Sequence, residues 1–295
     1  MLELIRDYDM TFLACMIIGL TLGYLGIHVL KREIIFIDIA LAQFAAVGTI
    51  LAHEIFDAEE DTLAAYLCSF VCILVMAVFF ALVHRKIHQI ALEAIIGVSY
   101  AIAAAGALFL MGVMIAGHTH SSLHELLTGT LFYVSDFWPD VFLFLLALFI
   151  VAVCFIIFRK PLNRLSESYR QTLDLGWTMV AWDILFYAIM GIVITVTVRT
   201  AGIVVVFSYL IIPATIAALF TQKIWGQLII IAAAVLLASL CSIWLTQTYD
   251  YSFGPPIGLF LGIFLVLAAI CKRLSLAFAE KKPAPTPLDL TTPRL

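Results

Sequence analysis

Residues 63–83 read LAAYLCSFVCILVMAVFFALV, and residues 84–86 close the run with HRK. No charge interrupts the run, and its length matches the roughly 20 residues that a helix needs to cross the hydrocarbon core of a bilayer. A basic cluster directly after an apolar run marks the point where a chain leaves the lipid. The same pattern recurs along the whole sequence.

Of the 295 residues, 64% are apolar and 12% are charged, and the mean hydropathy is +1.13. A soluble domain is about a quarter charged, and no soluble fold of this size could hide so much apolar surface. Lipid is therefore the solvent. Apolar runs fall near 10–30, 34–55, 63–83, 91–116, 139–158, 178–198, 202–220, 226–246 and 255–271. The expected fold is an all-α polytopic membrane protein with eight or nine transmembrane helices. The first run is too long and too weakly basic at its start for a cleaved signal peptide.

Lys31 and Arg32, Arg85 and Lys86, the group Arg159, Lys160, Arg164 and Arg170, then Lys223, Lys272 and Arg273 follow alternate runs. With Lys281, Lys282 and Arg294, 14 of the 16 Lys and Arg residues lie on one side; Arg6 and Arg199 lie on the other. The positive-inside rule makes the basic side cytoplasmic. The N-terminus is then outside and the C-terminus cytoplasmic. Arg199 is too costly at mid-membrane and belongs at the outer end of a hairpin. Three parts result: an outer interfacial segment (1–9), a transmembrane domain (10–273) and a cytoplasmic tail (274–295). The tail's EKKPAPTPLDLTTPRL (280–295) is proline-rich and expected to be disordered. Two connections exceed a turn: the basic stretch 159–176, with room for a surface helix, and the apolar 124–138, which reads as re-entrant or interfacial.

The six cysteines all lie in apolar runs, with no C-x-x-C pair, and read as packing residues. Ionisable or amide groups inside the spans are functional candidates by default. Asp38 and Gln43 stand in FIDIALAQFAAVG, about 140° apart on a helix and thus on one broad face. Asp183 stands in MVAWDILFY. Asp38 has a second reading as a partner of Arg32 at the headgroups, Gln43 as an interhelical hydrogen-bonding group, and Asp183 as a structural partner. Pro213, in SYLIIPATIAALFTQK (208–223), should kink its span. GPP (254–256) opens the last run, where proline is tolerated.

These stretches, in this order, resemble the permease subunits of metal-uptake ABC importers for zinc, manganese or iron, the ABC-3 family. The resemblance rests on VLKREIIFIDIALAQFAAVG (29–48), LEAIIGVSYAIAAAGAL (92–108), HELLTGTLFYVS (124–135), RTAGIVVVFSYLIIPATIAALFTQK (199–223) and YDYSFGPPIGLFLGIFLVLA (249–268). It implies a homodimeric permease in the bacterial cytoplasmic (inner) membrane, working by alternating access. A separate ATPase subunit would drive it and an extracytoplasmic metal-binding protein would feed it. The ATPase is expected to dock near Ala214, Ala217, Ala218, Thr221 and Lys223. The family's second helix carries an Asp and, four residues later, a His that meet the metal. Alignment puts Ile39 and Gln43 at those positions, so the usual ligands are missing.

Residues 117–129, GHTHSSLHELLTG, offer another ligand set: His118, His120, His124 and Glu125. Imidazoles suit zinc, whereas manganese prefers harder oxygen donors, so zinc is the preferred cargo and manganese or iron the alternatives. The competing reading is an exposed loop that binds nothing. With Gln43 and Asp38 these four complete the candidate metal residues, and no tightly bound cofactor is expected. HRKIH (84–88) superficially suggests a di-iron oxidase. However, His84 and His88 lie across about 30 Å of hydrocarbon from the other cluster. A secondary, ion-coupled metal transporter is a further alternative, disfavoured by the absence of a repeat and the scarcity of mid-membrane acids. The sequence contains no phosphate-binding P-loop, so the chain is expected to be a transport subunit rather than an enzyme. Its other partner is the bilayer, with no nucleic acid.

Overall fold

The computed structural model describes residues 9–56, 62–86, 90–114, 176–249 and 253–280. They form eight helices: α1 Asp9–Arg32, α2 Ile37–Phe56, α3 Leu63–Lys86, α4 Leu92–Met114, α5 Gly176–Ala201, α6 Ile203–Phe220, α7 Ile224–Tyr249 and α8 Gly254–Glu280. All eight contain a stretch long and apolar enough to cross a membrane, and no strand occurs among the described residues. The expected run at 139–158 lies outside them, as do residues 1–8, the connections 124–138 and 159–175, and 281–295. Helix α8 continues to Glu280 because KRLSLAFAE (272–280) holds good helix formers and no proline.

The helices pack in two groups. Helix α1 lies on α6 and α7, which pack on each other and on α8. Helix α2 lies on α3, α4 and α5, and α3 packs on α5. The main contact between the groups runs through α6, which touches α5 and α2.

Lipid chains are as apolar as leucine, so association depends on close packing, and small residues permit it. Helix α1 carries Gly19, Gly23 and Gly26 at helical spacing. A Cβ on Gly19 would meet Val235 and one on Gly23 would meet Ile231. Each step of four forward along α1 is thus a step of four back along α7. The pair is antiparallel, and Lys31, Arg32 and Lys223 share one end of the bundle. A Cβ on Gly26 would strike the Leu210 carbonyl, three residues before Pro213, and touch Ala214, the residue after it. Proline cannot donate to the carbonyl four residues earlier, yet α6 runs through Pro213, which is buried.

Two backbone corners interrupt the helices. Glu33 closes α1 with φ 58°. The Ile34 N–H donates to Val29 O (3.3 Å), and the Glu33 N–H donates to Leu30 O (3.2 Å). This is a Schellman cap with glutamate where glycine usually sits, sealed by the buried Ile34. Between α5 and α6 a single residue, Gly202, turns the chain at φ 82°, ψ 156°, a region essentially reserved for glycine.

Gly26→Ala is expected to destabilise the protein by about 1–3 kcal/mol, because overpacking forces the backbones of α1 and α6 apart. Gly97, whose Cβ would meet nothing within 4 Å, is the control: Gly97→Ala should leave the melting temperature in detergent unchanged or raise it.

Candidate functional site

Four ionisable residues lie buried near the basic end of the bundle: His28, Arg32, Asp38 and Asp183. Arg32, the last residue of α1, turns inward rather than toward headgroups. Its Nη1 donates to Asp183 Oδ1 at 2.8 Å, and its guanidinium lies over the Phe186 ring, 3.8 Å from the centroid. Asp183 and Phe186 are three residues apart on α5, hence on one face, so one side chain can engage both. His28, one turn back on α1, meets Tyr24 edge-on at 5.2 Å and Phe186 at 6.3 Å. From Phe186 the ring contacts continue through Tyr187 to Phe80 of α3. This strip of charge and aromatic rings ties α1 to α5, across the two packing groups.

Asp183 is thus a structural partner, and Arg32 pairs with it rather than with Asp38. Asp38 sits in the first turn of α2, 2% exposed, with no hydrogen-bond partner for Oδ1. Gln43 is half-buried on a partly open face shared with Ile39, Val47 and Ile50. The 140° between Asp38 and Gln43 separates them: one points into the packed face with Leu41, Ala42 and Ala45, the other does not. Among the described residues no three His, Cys, Asp or Glu side chains converge on a metal-sized site. His118, His120, His124 and Glu125 lie outside the described residues.

The five docking candidates divide by burial. Ala214 and Ala217 are buried, the first against Gly26 of α1. Ala218 and Lys223 are exposed, and Thr221 is half-buried. Thr221 organises the α6–α7 turn: its Oγ1 accepts from the Lys223 N–H at 3.1 Å, and its carbonyl accepts from Gln227 Nε2 at 3.1 Å. The turn presents Phe220, Gln222, Lys223 and Trp225 outward.

Two further polar nodes hold the bundle. Thr49 of α2 and Ser69 of α3 bond at 2.9 Å, and Ser69 Oγ also donates to Ala45 O at 2.9 Å. Gly48 allows this approach, since a Cβ there would meet the Ser69 backbone. In the other group Ser239 Oγ donates to Val235 O at 2.7 Å, so its 2.7 Å contact with Tyr209 uses the tyrosine proton. The buried Cys15 thiol adjoins both. Cys15, Cys68, Cys72, Cys241 and Cys271 are free thiols, and Cys154 lies outside the described residues.

The profile of the ABC 3 transport family matches residues 7–272. The chain belongs to that family. A probable metal transport system membrane protein of Chlamydia muridarum is 25% identical over 255 residues, covering 85% of this chain and 84% of the relative. A protein of the same description from Chlamydia trachomatis is 26% identical over 167 residues, or 56% of this chain and 55% of the relative's length. Among solved structures, PsaBC from Streptococcus pneumoniae in complex with Fab superposes with a TM-score of 0.73 at 17% identity, covering 94% of this chain and 98% of that one. An inward-facing putative metal-chelate type ABC transporter gives 0.61 at 17% identity, covering 90% and 85%. These structural likenesses extend the family assignment to the fold.

Sequence reading passed over His28, a titratable group inside the first apolar run, and counted Arg32 only as a topology signal. A histidine in such a run is by default worth inspection. Nothing in the sequence marks Tyr209, Ser239 and Cys15 as neighbours. Removing one member of the buried ion pair, by Arg32→Ala or Asp183→Ala, leaves the other uncompensated and should cost about 3–5 kcal/mol. The loss is to be read as a lower melting temperature and earlier aggregation in detergent.

Proposed function

We propose that this member of the ABC 3 transport family is the permease of a divalent transition-metal importer, with zinc as its cargo. Family membership over nearly the whole chain carries the reading, supported by the eight membrane-length helices and by relatives described as metal transport proteins. The protein acts as a homodimer in the bacterial inner membrane, with its N-terminus outside. A separate ATPase subunit works on the cytoplasmic face, and an extracytoplasmic binding protein delivers the ion. The chain makes no covalent bond to its cargo. It offers ligands on one side of the membrane and withdraws them on the other.

Zinc is favoured by His118, His120 and His124, with Glu125 as a fourth donor. A structural zinc site closes with four protein ligands, often including cysteine. Here the cysteines all lie in apolar runs, and a few donors in one loop suit an ion in transit. Further along the path Gln43 is the candidate contact, with Asp38, buried in the first turn of the same helix, as the second candidate. For the ATPase, the accessible parts of the proposed surface are Ala218, Thr221 and Lys223. Ala214 and Ala217 act behind it by setting α6 against α1.

The decisive experiment expresses the chain with its cognate ATPase and follows uptake of radioactive zinc, manganese and iron. Zinc uptake that stops on ATP depletion but survives collapse of the ion gradients is expected; dependence on a gradient would favour a secondary transporter. Changing His118, His120 and His124 together to Ala should lower zinc uptake several-fold at limiting metal and leave membrane insertion intact. Unchanged uptake would remove the loop from the path. Gln43→His should slow zinc passage, since imidazole holds zinc more tightly than a carboxamide. Ala218→Arg should leave the protein inserted while uncoupling ATP hydrolysis from uptake.

A further inference from the structure

The chain crosses between the two helix groups twice in the described residues: from α1 into α2 through residues 33–36, and from α5 into α6 through Gly202. Those two crossings hold the two positive-φ residues among the described ones, Glu33 at 58° and Gly202 at 82°. Elsewhere in the described backbone the positive-φ region is not used. A left-handed cap and a one-residue corner end one helix and begin another without a long loop. They are places where a few backbone angles can change while both flanking helices stay intact. Hinges in proteins that close as rigid bodies are of this kind.

The Arg32–Asp183 pair lies beside the first crossing. It joins the last residue of α1, in one group, to α5, in the other, at 2.8 Å. Arg32 is adjacent to Glu33, so rotation at Glu33 would move the guanidinium directly. The pair is nearly shielded from solvent, with side-chain exposures of 0% and 10%. A buried ion pair is weak evidence for stability, because desolvation offsets most of its attraction, and apolar replacements of similar volume are often tolerated. What such a pair supplies is selection of one geometry, since the charges are compensated only when docked. The Phe186 ring under the guanidinium adds to that preference.

We infer that the bundle is a two-body device. The group α1, α6, α7 and α8 rotates against the group α2 to α5 about hinges at Glu33 and Gly202, and the Arg32–Asp183 pair latches one of its states. The inference rests on the alternating-access reading for its purpose, but the latch itself requires neither metal nor ATP. Latched, the groups are held together at the basic end; unlatched, α1 moves with α6 and α7, locked to them by the glycine face and the Cys15–Tyr209–Ser239 node.

The test uses the full chain in lipid nanodiscs, with nitroxides carried on keto side chains at Trp225 and Ile90. Both positions are exposed; they lie at the basic end, one in each group. Electron–electron resonance reads the distance between them. The wild type should give one dominant distance. Arg32→Met with Asp183→Leu, which removes both charges and keeps the volume, should still insert and elute as wild type. Its ratio of the second distance to the first should rise about tenfold, from a minor state that is ordinarily a few per cent or less. Arg32→Lys, which keeps the charge, should stay near the wild-type distribution. The latch is overturned if the apolar double variant keeps the wild-type distribution or no longer folds, since the pair would then only support the structure. It is also overturned if the lysine variant behaves like the apolar one. A shift in distances without any metal uptake would leave the latch standing and remove the importer reading; uptake with immobile distances would do the reverse.

Discussion

The contact of Gly26 with α6 sets the geometry on which one half of the bundle depends. In lipid, helices gain nothing from hiding leucines, so dispersion between closely approaching surfaces has to hold them. A glycine against the Leu210 carbonyl brings α1 and α6 closer than any side chain would permit. Gly19 and Gly23 then fix the antiparallel register with α7. Once that register is set, Cys15 meets Tyr209 and Ser239, and Lys31, Arg32 and Lys223 come to the same end. Helix α1 is therefore locked onto both α6 and α7, although its apolar content alone would suit a lipid-facing helix as well.

Polar groups inside the bundle follow from the same lack of water. Several buried hydroxyls return to a carbonyl on their own helix, as Thr195, Thr197 and Ser208 do, which satisfies them without linking helices. Other polar groups reach across: Thr49 to Ser69 in one group, Tyr209 to Ser239 in the other, and Arg32 to Asp183 between them. Each group thus has an internal hydrogen-bonded node, and the polar link between the groups, added to the apolar packing of α6 on α5 and α2, is ionic. Hydroxyl pairs lose little when their surroundings shift slightly, whereas an ion pair is compensated in one arrangement and costly in others. That difference in kind suits rigid groups joined by a switchable contact. It is also what a transporter that must change shape without unfolding requires.

The division between what could be read and what could not follows the range of the forces involved. Sequence alone determined that the chain lives in lipid and that its apolar runs within the described residues are helices. Their bounds were legible to within a few residues except at the end of α8, which runs on from 271 to Glu280. Those features depend on local composition, on backbone bonds closed within each helix, and on charges that stop each run. The sequence also carried the resemblance to the ABC-3 permeases, through the order of motifs such as SYLIIPATIAALFTQK. It marked Asp183 as a structural partner and left Asp38 open between two roles.

Tertiary structure decided who meets whom. Arg32 reads in sequence as one more cytoplasmic charge, yet it is buried against Asp183, 151 residues away. Asp38 and Gln43 seemed to share a face, and the packing of α2 separated them. Ala214 and Ala217 looked as available as Ala218 until α1 covered α6. Such outcomes turn on contacts between residues far apart in the chain, and every helix here is apolar on nearly all sides, so no amphipathic pattern records which face is buried. In a soluble protein the polar face would reveal it. In a bilayer, lipid and protein interior look alike to a leucine, and only the close fit of one helix on another tells them apart.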